Sequence, residues 1–233
     1  MSTPAPRSSS VRPVIFPVFI PVDGVELEGD FYLPAQAKGV VIFAHGSGSS
    51  RHSPRNRFVA DILHEHGVGT LLIDLLTLAE EASDRETGRY RFDIPQLARR
   101  LTAIGDWVAR SYSDLKLGYF GASTGGAAAL IAAAAQPDRI AAVVSRGGRP
   151  DLASAFLPRV KAPSLLIVGE KDTLVLAWNR QALQQLNAAS QLRIVRGATH
   201  LFEEPGALHQ VAILAADWFE RHFASTAPLG ATR

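Results

Sequence analysis

The chain has 233 residues, of which 47% are apolar, and this length and composition are typical of one α/β domain with a sizeable core. Lys and Arg exceed Asp and Glu by only two, a bias too weak to indicate binding to nucleic acid or to an anionic membrane. There is no cysteine, which excludes a disulfide framework, a thiolate nucleophile and a cysteine-ligated metal site. No run resembles a signal peptide or a membrane span, so we expect a soluble, cytoplasmic protein.

The order of the predicted elements indicates an α/β sheet protein. Residues 1–12 and 225–233 are small and polar, so we predict disordered tails around one domain at 13–224. Two strand-like runs, 14–21 and 25–33, flank Asp23-Gly24, a pair that favours a hairpin turn. Later strands are predicted at 40–44, 70–74, 117–120, 140–144, 164–168 and 192–195, and helices at 56–66, 94–111, 123–135, 174–187 and 207–223.

This alternation predicts a mostly parallel sheet of about eight strands with helices on both faces. The connection between the strands at 140–144 and 164–168 has room for one small helix near 152–156 and for no cap domain. We therefore expect an open site, covered by loops such as the polar segment 79–92, which we expect to be mobile.

The candidate nucleophile is Ser123, in the pentapeptide Gly121-Ala122-Ser123-Thr124-Gly125 between a predicted strand and a predicted helix. A serine nucleophile needs a sharp strand-to-helix turn that holds its hydroxyl out, and glycines must flank it because side chains there would collide with neighbouring backbone. The alternative is a glycine-rich loop in which a serine only caps a helix.

A second glycine-rich stretch, His45-Gly46-Ser47-Gly48-Ser49-Ser50, follows the strand at 40–44. Acyl transfer builds negative charge on a carbonyl oxygen. In α/β proteins that carry a serine nucleophile on such a turn, two backbone N–H groups stabilise this charge by hydrogen bonding. We predict that Ser47 and Thr124 supply those groups. The alternative is a phosphate-binding loop, but the stretch lacks both the Walker lysine and the dinucleotide-binding glycine spacing.

The acid and the base should follow the nucleophile in the chain, at the ends of later strands. Asp172 lies just after the strand at 164–168 and is the predicted acid; the rivals are Glu170 and Asp151, and an ordinary helix cap is the alternative role for Asp172. His200 falls in a loop after the last predicted strand and is the predicted base. The other two histidines beyond Asp172, which are His209 and His222, lie in the closing helix.

Together these motifs resemble the dienelactone-hydrolase-like branch of the α/β-hydrolase superfamily, and in particular the hydrolase domain that is elsewhere joined to a phosphoribosyltransferase. The matching segments are 45–53, 121–125, 145–151, 169–172 and 198–200. The resemblance implies the α/β-hydrolase fold and places Ser123, Asp172 and His200 in a catalytic triad. The chain departs from dienelactone hydrolases proper, which use a cysteine as nucleophile.

The expected reaction is hydrolysis of a small-molecule ester through an acyl-enzyme, without a metal or organic cofactor. Thioester or amide hydrolysis and acyl transfer on the same triad stay open, and so does a non-catalytic binding module of the same fold. The oligomeric state also stays open.

Several arginines follow the predicted site loops and could bind a carboxylate or phosphate of the substrate; the more ordinary alternative is solvated side chains and helix caps. These residues are Arg51, Arg55, Arg57, Arg146 and Arg149. Asp74, at the end of its predicted strand, is expected to hold a loop by hydrogen bonding.

Overall fold

The computed structural model describes residues 14–186 and 189–224. Its centre is an eight-stranded sheet in the order β1-β2-β4-β3-β5-β6-β7-β8. The strands are β1 (Phe16–Val22), β2 (Val25–Tyr32), β3 (Gly39–Ala44), β4 (Gly69–Ile73), β5 (Lys116–Ala122), β6 (Ile140–Arg146), β7 (Ser164–Gly169) and β8 (Gln191–Val195). The α-helices are α1 (Pro54–Glu65), α2 (Leu78–Thr87), α3 (Ile94–Ser111), α4 (Thr124–Ala135), α5 (Thr173–Leu183) and α6 (Ala207–Ala224). Both predicted tails, and the last residue of the helix predicted at 174–187, lie outside the described residues.

The chain enters the sheet through an antiparallel hairpin, as the sequence predicts. β1 pairs with β2 around Asp23 and Gly24, whose φ angles of 50° and 77° are those of a tight turn that matches the twist of the strands. β2 then pairs antiparallel with β4, and every later pairing is parallel. The carboxyl ends of the parallel strands therefore meet at one edge of the sheet.

Helices cover both faces of the sheet, because alternate side chains of each central strand point to opposite sides. Ile42 and Tyr119 pack with α3 and α4 in one buried cluster. Val41 and Phe43 pack with α1 and α6 in a second one. Burial on both faces explains why the central strands are almost continuously apolar in sequence.

Helix α2 contradicts the expectation of a mobile loop over 79–92. The Thr77 side chain accepts a hydrogen bond from the Glu80 N–H, and the Glu80 carboxylate accepts one from the Thr77 N–H, which is a capping box. The helix ends at Gly88 in the left-handed conformation. Buried Arg100 of α3 donates to both carboxylate oxygens of Glu80, at 2.6 and 2.7 Å, and to the Leu75 carbonyl at 2.7 Å. These bonds fasten α2 to the body of the domain.

The connection between β6 and β7 contains two short 3-10 helices, Pro150–Ala153 and Leu157–Arg159, where the sequence predicts one small helix. No cap domain is inserted in this connection, which the structure describes in full. The carboxyl edge of the sheet is therefore left uncovered on the β6 side, whereas α2 stands over it on the β4 side.

Candidate active site

Ser123 occupies a sharp turn between β5, which ends at Ala122, and α4. Its φ and ψ are 52° and −119°, an uncommon conformation for a residue with a side chain. The Ser123 N–H donates to the Arg146 carbonyl at 3.2 Å, which holds the turn against β6. A Cβ at Gly125 would overlap the backbone of Ala44. The flanking glycine is thus needed for close packing, as expected of a turn that exposes a nucleophile.

His200 and Asp172 lie in contact at the same edge of the sheet. The His200 Nδ1 and the Asp172 Oδ2 are 2.5 Å apart, and the two side chains are 38% and 14% exposed. The loops that carry them are joined, because the Lys171 N–H donates to the Ala198 carbonyl at 2.9 Å. With Nδ1 bonded to a carboxylate, Nε2 is the ring nitrogen left for proton transfer.

The rival acidic residues have other partners. Asp151 accepts two hydrogen bonds from the Arg149 guanidinium, at 2.7 and 2.9 Å. The Glu170 carboxylate accepts from the Gly197 N–H at 2.8 Å. Of the three candidates among the described residues, Asp172 alone contacts a histidine.

The rival histidines lie away from this contact. His209 of α6 packs edge-on against Phe58, and His222 packs against Trp218. Burial lowers the pKa of His222, and the charges of Arg221 and Lys116 add to that effect. Neither side chain contacts Asp172 among the described residues, and His209 is exposed.

The loop at 45–50, which we call the oxyanion loop, approaches Ser123 closely. A Cβ built on Gly46 would lie 3.3 Å from the Ser123 Cβ. The Ser47 N–H, one of the two predicted donors, donates to the Thr124 hydroxyl oxygen at 2.9 Å. Thr124 begins α4, so its own N–H is among those that have no partner within a helix. The structure therefore brings the two predicted oxyanion residues together, with the Ser47 N–H engaged by the Thr124 side chain.

The Ser123 hydroxyl makes no hydrogen bond within the described ranges. The His200 ring nevertheless lies beside the turn, because a Cβ built on Gly147 would be 3.4 Å from its Cε1 and Nδ1. Gly147 directly follows Arg146, whose carbonyl holds Ser123. Hydrogen bonds between a nucleophile and its base are often long in ligand-free enzymes and tighten when substrate binds.

His45 and Asp74 fix the two ends of the oxyanion loop, and the sequence assigned no role to His45. The Leu75 N–H donates to the buried His45 Nε2 at 3.1 Å, so the ring proton is on Nδ1, which donates to the Gly46 carbonyl at 3.0 Å. At the other end the Asp74 carboxylate accepts from the Arg51 N–H at 2.6 Å and from the Arg51 guanidinium. Asp74 thus holds a loop by hydrogen bonding, as expected.

Most of the arginines singled out in the sequence have carboxylate partners. The ion pairs are Arg51 with Asp74 and Glu28, Arg57 with Asp30, Arg55 with Glu203, and Arg149 with Asp151. Arg146 differs from these, because it is buried and its Nη1 has no hydrogen-bond partner among the described residues. Burial lowers its pKa to about 10, and the positive charge of Arg55 adds to the effect.

Two features of other kinds of protein are not found among residues 14–186 and 189–224. No group of three or more His, Asp or Glu side chains there could hold a metal ion. No helix in those ranges has the length and apolar character that crossing a membrane requires.

Comparison with known proteins agrees with this geometry. The model of the dienelactone hydrolase family matches residues 27–225. The chain belongs to the dienelactone hydrolase family. It is 55% identical to a dienelactone hydrolase of Anabaena variabilis of known structure, with a TM-score of 0.88 over 90% of this chain and 98% of that one. The family and this neighbour identify the chain as a hydrolase.

Two further relatives bear on the resemblance seen in the sequence. A putative phosphoribosyl transferase of Mycobacterium tuberculosis is 51% identical over 208 residues, which are 88% of this chain but only 46% of that protein. The chain thus spans less than half of the length of that relative. Est1E of Butyrivibrio proteoclasticus is 18% identical, with a TM-score of 0.76 over 90% of this chain and 99% of its own, and shares the fold. The predicted α/β-hydrolase fold and family are confirmed.

Proposed function

We propose that the protein is a serine hydrolase that cleaves carboxylic esters of small acyl groups through an acyl-enzyme. The observation that carries this proposal is the contact between His200 and Asp172 beside the strained turn at Ser123. A histidine that is oriented by a carboxylate and lies beside a serine on a strand-to-helix turn is the arrangement that activates a hydroxyl for attack on a carbonyl.

In the proposed first step, the Ser123 Oγ attacks the ester carbonyl carbon while the His200 Nε2 takes the hydroxyl proton. The carbonyl oxygen becomes negative and accepts hydrogen bonds from the Thr124 N–H and from the Ser47 N–H, which in this step exchanges the Thr124 hydroxyl for the oxyanion. His200 then returns the proton to the alcohol oxygen, and the bond between the carbonyl carbon and that oxygen breaks. Asp172 stays ionised and stabilises the imidazolium.

In the second step, water attacks the acyl carbon of the ester on Ser123, and His200 takes a proton from that water. The same N–H groups receive the second negative oxygen. The bond to the Ser123 Oγ breaks as His200 protonates it, and a carboxylic acid leaves. Neither step calls for a group other than the three side chains, the two amides and water.

Replacement of Ser123 by Ala tests the proposal directly. We expect hydrolysis of p-nitrophenyl acetate to be lost and the melting temperature to stay near that of the wild type, because the change removes only one hydroxyl oxygen from a half-buried turn and opens no core cavity. Ser154→Ala, on the exposed connection between β6 and β7, is the matched control and should keep full activity. Unchanged turnover by Ser123→Ala refutes the assignment.

The leaving group is a separate part of the proposal, since a triad of this kind specifies acyl chemistry and not the group that departs. Relative kcat/KM over matched esters, thioesters and amides of one acyl group will rank the three classes, and we expect the ester to rank first. A small-molecule substrate, the absence of a cofactor and a cytoplasmic location remain predictions from the sequence.

A further inference from the structure

A cavity of about 310 Å³ opens between the oxyanion loop and helix α2. Its walls are the loop at 45–50, the apolar side chains Leu76 and Leu97, and the charged side chains Glu81 and Arg91, with Asp84 and Arg85 beside them. This volume is at the lower end of the range of ligand pockets, so the cavity suits a small chemical group. We call it the loop-side cavity.

The loop-side cavity and the proposed base lie on opposite sides of Ser123. Ser123 follows β5, which stands between β3 and β6 in the sheet. The cavity is built by segments that follow β3 and β4, whereas Asp172 and His200 follow β7 and β8. Gly46 lines the cavity, and a Cβ built on it would lie 3.3 Å from the Ser123 Cβ, so the oxyanion loop is the neighbour that the cavity and the serine share.

We propose that the loop-side cavity binds the acyl group of the substrate; this inference rests on the proposed function and deepens it. His200 must donate its proton to the leaving oxygen, so the alcohol part of the ester has to lie on the β6–β8 side of Ser123. The carbonyl oxygen points toward the backbone N–H groups of Ser47 and Thr124. The remaining substituent of the carbonyl carbon then points away from His200, toward the loop-side cavity.

The walls of the cavity indicate which acyl groups fit it. Leu76 and Leu97 offer apolar surface for a few carbon atoms. Arg91 is held rigidly, because its Nε donates to the buried Asp84 carboxylate at 2.5 Å and its Nη2 to the Asp84 carbonyl at 2.6 Å. Its Nη1 makes no hydrogen bond with another described residue, and a Cβ built on Gly48 would lie 3.9 Å from it.

An oxygen at the far end of the acyl chain is the group that this Nη1 can bind. The charges of Asp84 and Arg91 cancel, and so do those of Glu81 and Arg85, which makes the cavity neutral as a whole. We therefore assign to it an acyl chain of a few carbons that carries an uncharged oxygen acceptor, either a carbonyl or a hydroxyl.

The first test narrows the cavity with Glu81→Trp, and the matched control is Glu86→Trp, which places the same side chain at an exposed position of the same helix. p-Nitrophenyl acetate, butyrate and hexanoate form the acyl series, and ethyl, butyl and hexyl acetate form the alcohol series. We expect Glu81→Trp to lower the ratio of kcat/KM for the hexanoate to that for p-nitrophenyl acetate by about tenfold or more, and to leave the ratio of hexyl acetate to ethyl acetate at its wild-type value. Glu86→Trp should change neither series.

The assignment of the cavity is wrong if Glu81→Trp lowers kcat/KM more strongly as the alcohol group becomes longer. It is also wrong if the dependence of kcat/KM on acyl length is the same as in the wild type. Ser123-dependent hydrolysis of p-nitrophenyl acetate separates the two proposals, because it survives when only the cavity assignment is wrong. If the wild type cleaves no ester in a Ser123-dependent manner, the proposed function and the cavity assignment fall together.

The second test concerns the distal oxygen. We expect p-nitrophenyl 4-oxopentanoate to be cleaved with a kcat/KM about tenfold above that of the pentanoate, because the hydrogen bond to a cation favours the oxo ester. The double variant Asp84→Asn/Arg91→Met, which leaves no buried carboxylate unpaired, should lose this preference, so that its kcat/KM values for the oxo ester and for the pentanoate become equal within about twofold. A preference that persists in the double variant, or a free-carboxylate succinyl ester that is cleaved faster than the oxo ester, overturns the assignment of a neutral acceptor to Arg91.

Discussion

Replacement of Asp172 by Asn changes one atom and tests whether this carboxylate orients His200. In the structure it contacts the His200 Nδ1 at 2.5 Å and is 14% exposed. A hydrogen bond to a charged group contributes about 1.5–3 kcal/mol, which alone corresponds to a loss of roughly 10- to 150-fold in rate. An Asn amide can in addition donate to Nδ1, which shifts the ring proton to Nε2, where it blocks acceptance of the Ser123 proton. The two effects together predict a loss in kcat of about 10³ to 10⁴, the upper value being that of the serine-protease triad.

The assay is kcat for p-nitrophenyl acetate at a pH where the wild type is fully active. Asp151→Asn and Glu170→Gln are the controls, because these carboxylates bond to Arg149 and to the Gly197 N–H and should change kcat by less than about threefold. A loss of less than about tenfold in Asp172→Asn contradicts the reasoning. A large loss in Asp151→Asn alone would move the acid to the loop after β6.

Three further predictions concern the site and its support. p-Nitrophenyl esters of short acids should be cleaved faster than the octanoate and palmitate, without activation at a lipid interface, because the loop-side cavity is small and no cap domain covers the site. Thr124→Val removes the hydroxyl that holds the oxyanion loop in position through the Ser47 N–H, so kcat should fall by about tenfold, and Thr124→Ser should restore it. The pKa of Asp84 is lowered, since its hydrogen bonds from Arg91 and Tyr90 outweigh the effect of burial. The Asp84 carboxylate therefore makes its full contribution to stability above pH 3.8, its ordinary pKa, and this contribution is lost as the pH falls below that value. The free energy of unfolding of Asp84→Asn should accordingly decrease less steeply on acidification than that of the wild type.

Each of these three outcomes has a measurement that can contradict it. A maximum of kcat/KM at palmitate would reveal a long apolar channel. Equal activity of the Val and Ser variants at Thr124 would show that its hydroxyl does not support the oxyanion loop. Chemical unfolding of Asp84→Asn with the same pH dependence as the wild type would show that this carboxylate is not coupled to acid unfolding.

The residues of the proposed site could be selected from the sequence because the local backbone around them restricts which residue types can occupy these positions. Gly125 has to be glycine since any side chain would meet Ala44, and the turn at Ser123 follows a buried strand. The chain order of nucleophile, acid and base then restricts the later candidates to a few loop residues. The choice of Asp172 over Asp151 and Glu170 rested on position alone, and the contact with His200 supports it.

Helix α2 was missed because it has no apolar period that a hydrophobic pattern could reveal. Most of its surface is solvated, and it is held by polar contacts such as the ion pair between Glu80 and Arg100. A capping box, Thr77 to Glu80, and the terminal Gly88 were readable signals of its two ends. The fastening of the oxyanion loop could not be predicted in the same way, because His45 and Leu75 are 30 residues apart and meet only in the folded sheet.

Covalent labelling of the nucleophile is the most direct test of the central claim, which is that Ser123 attacks the substrate. A serine-directed fluorophosphonate probe should add one label to the intact protein, and peptide mass spectrometry should place that label on Ser123. Asp172→Asn should slow the labelling by orders of magnitude, and Ser123→Ala should abolish it. A protein that cleaves esters while it remains unlabelled, or that carries the label on another residue, would contradict the claim that Ser123 is the nucleophile.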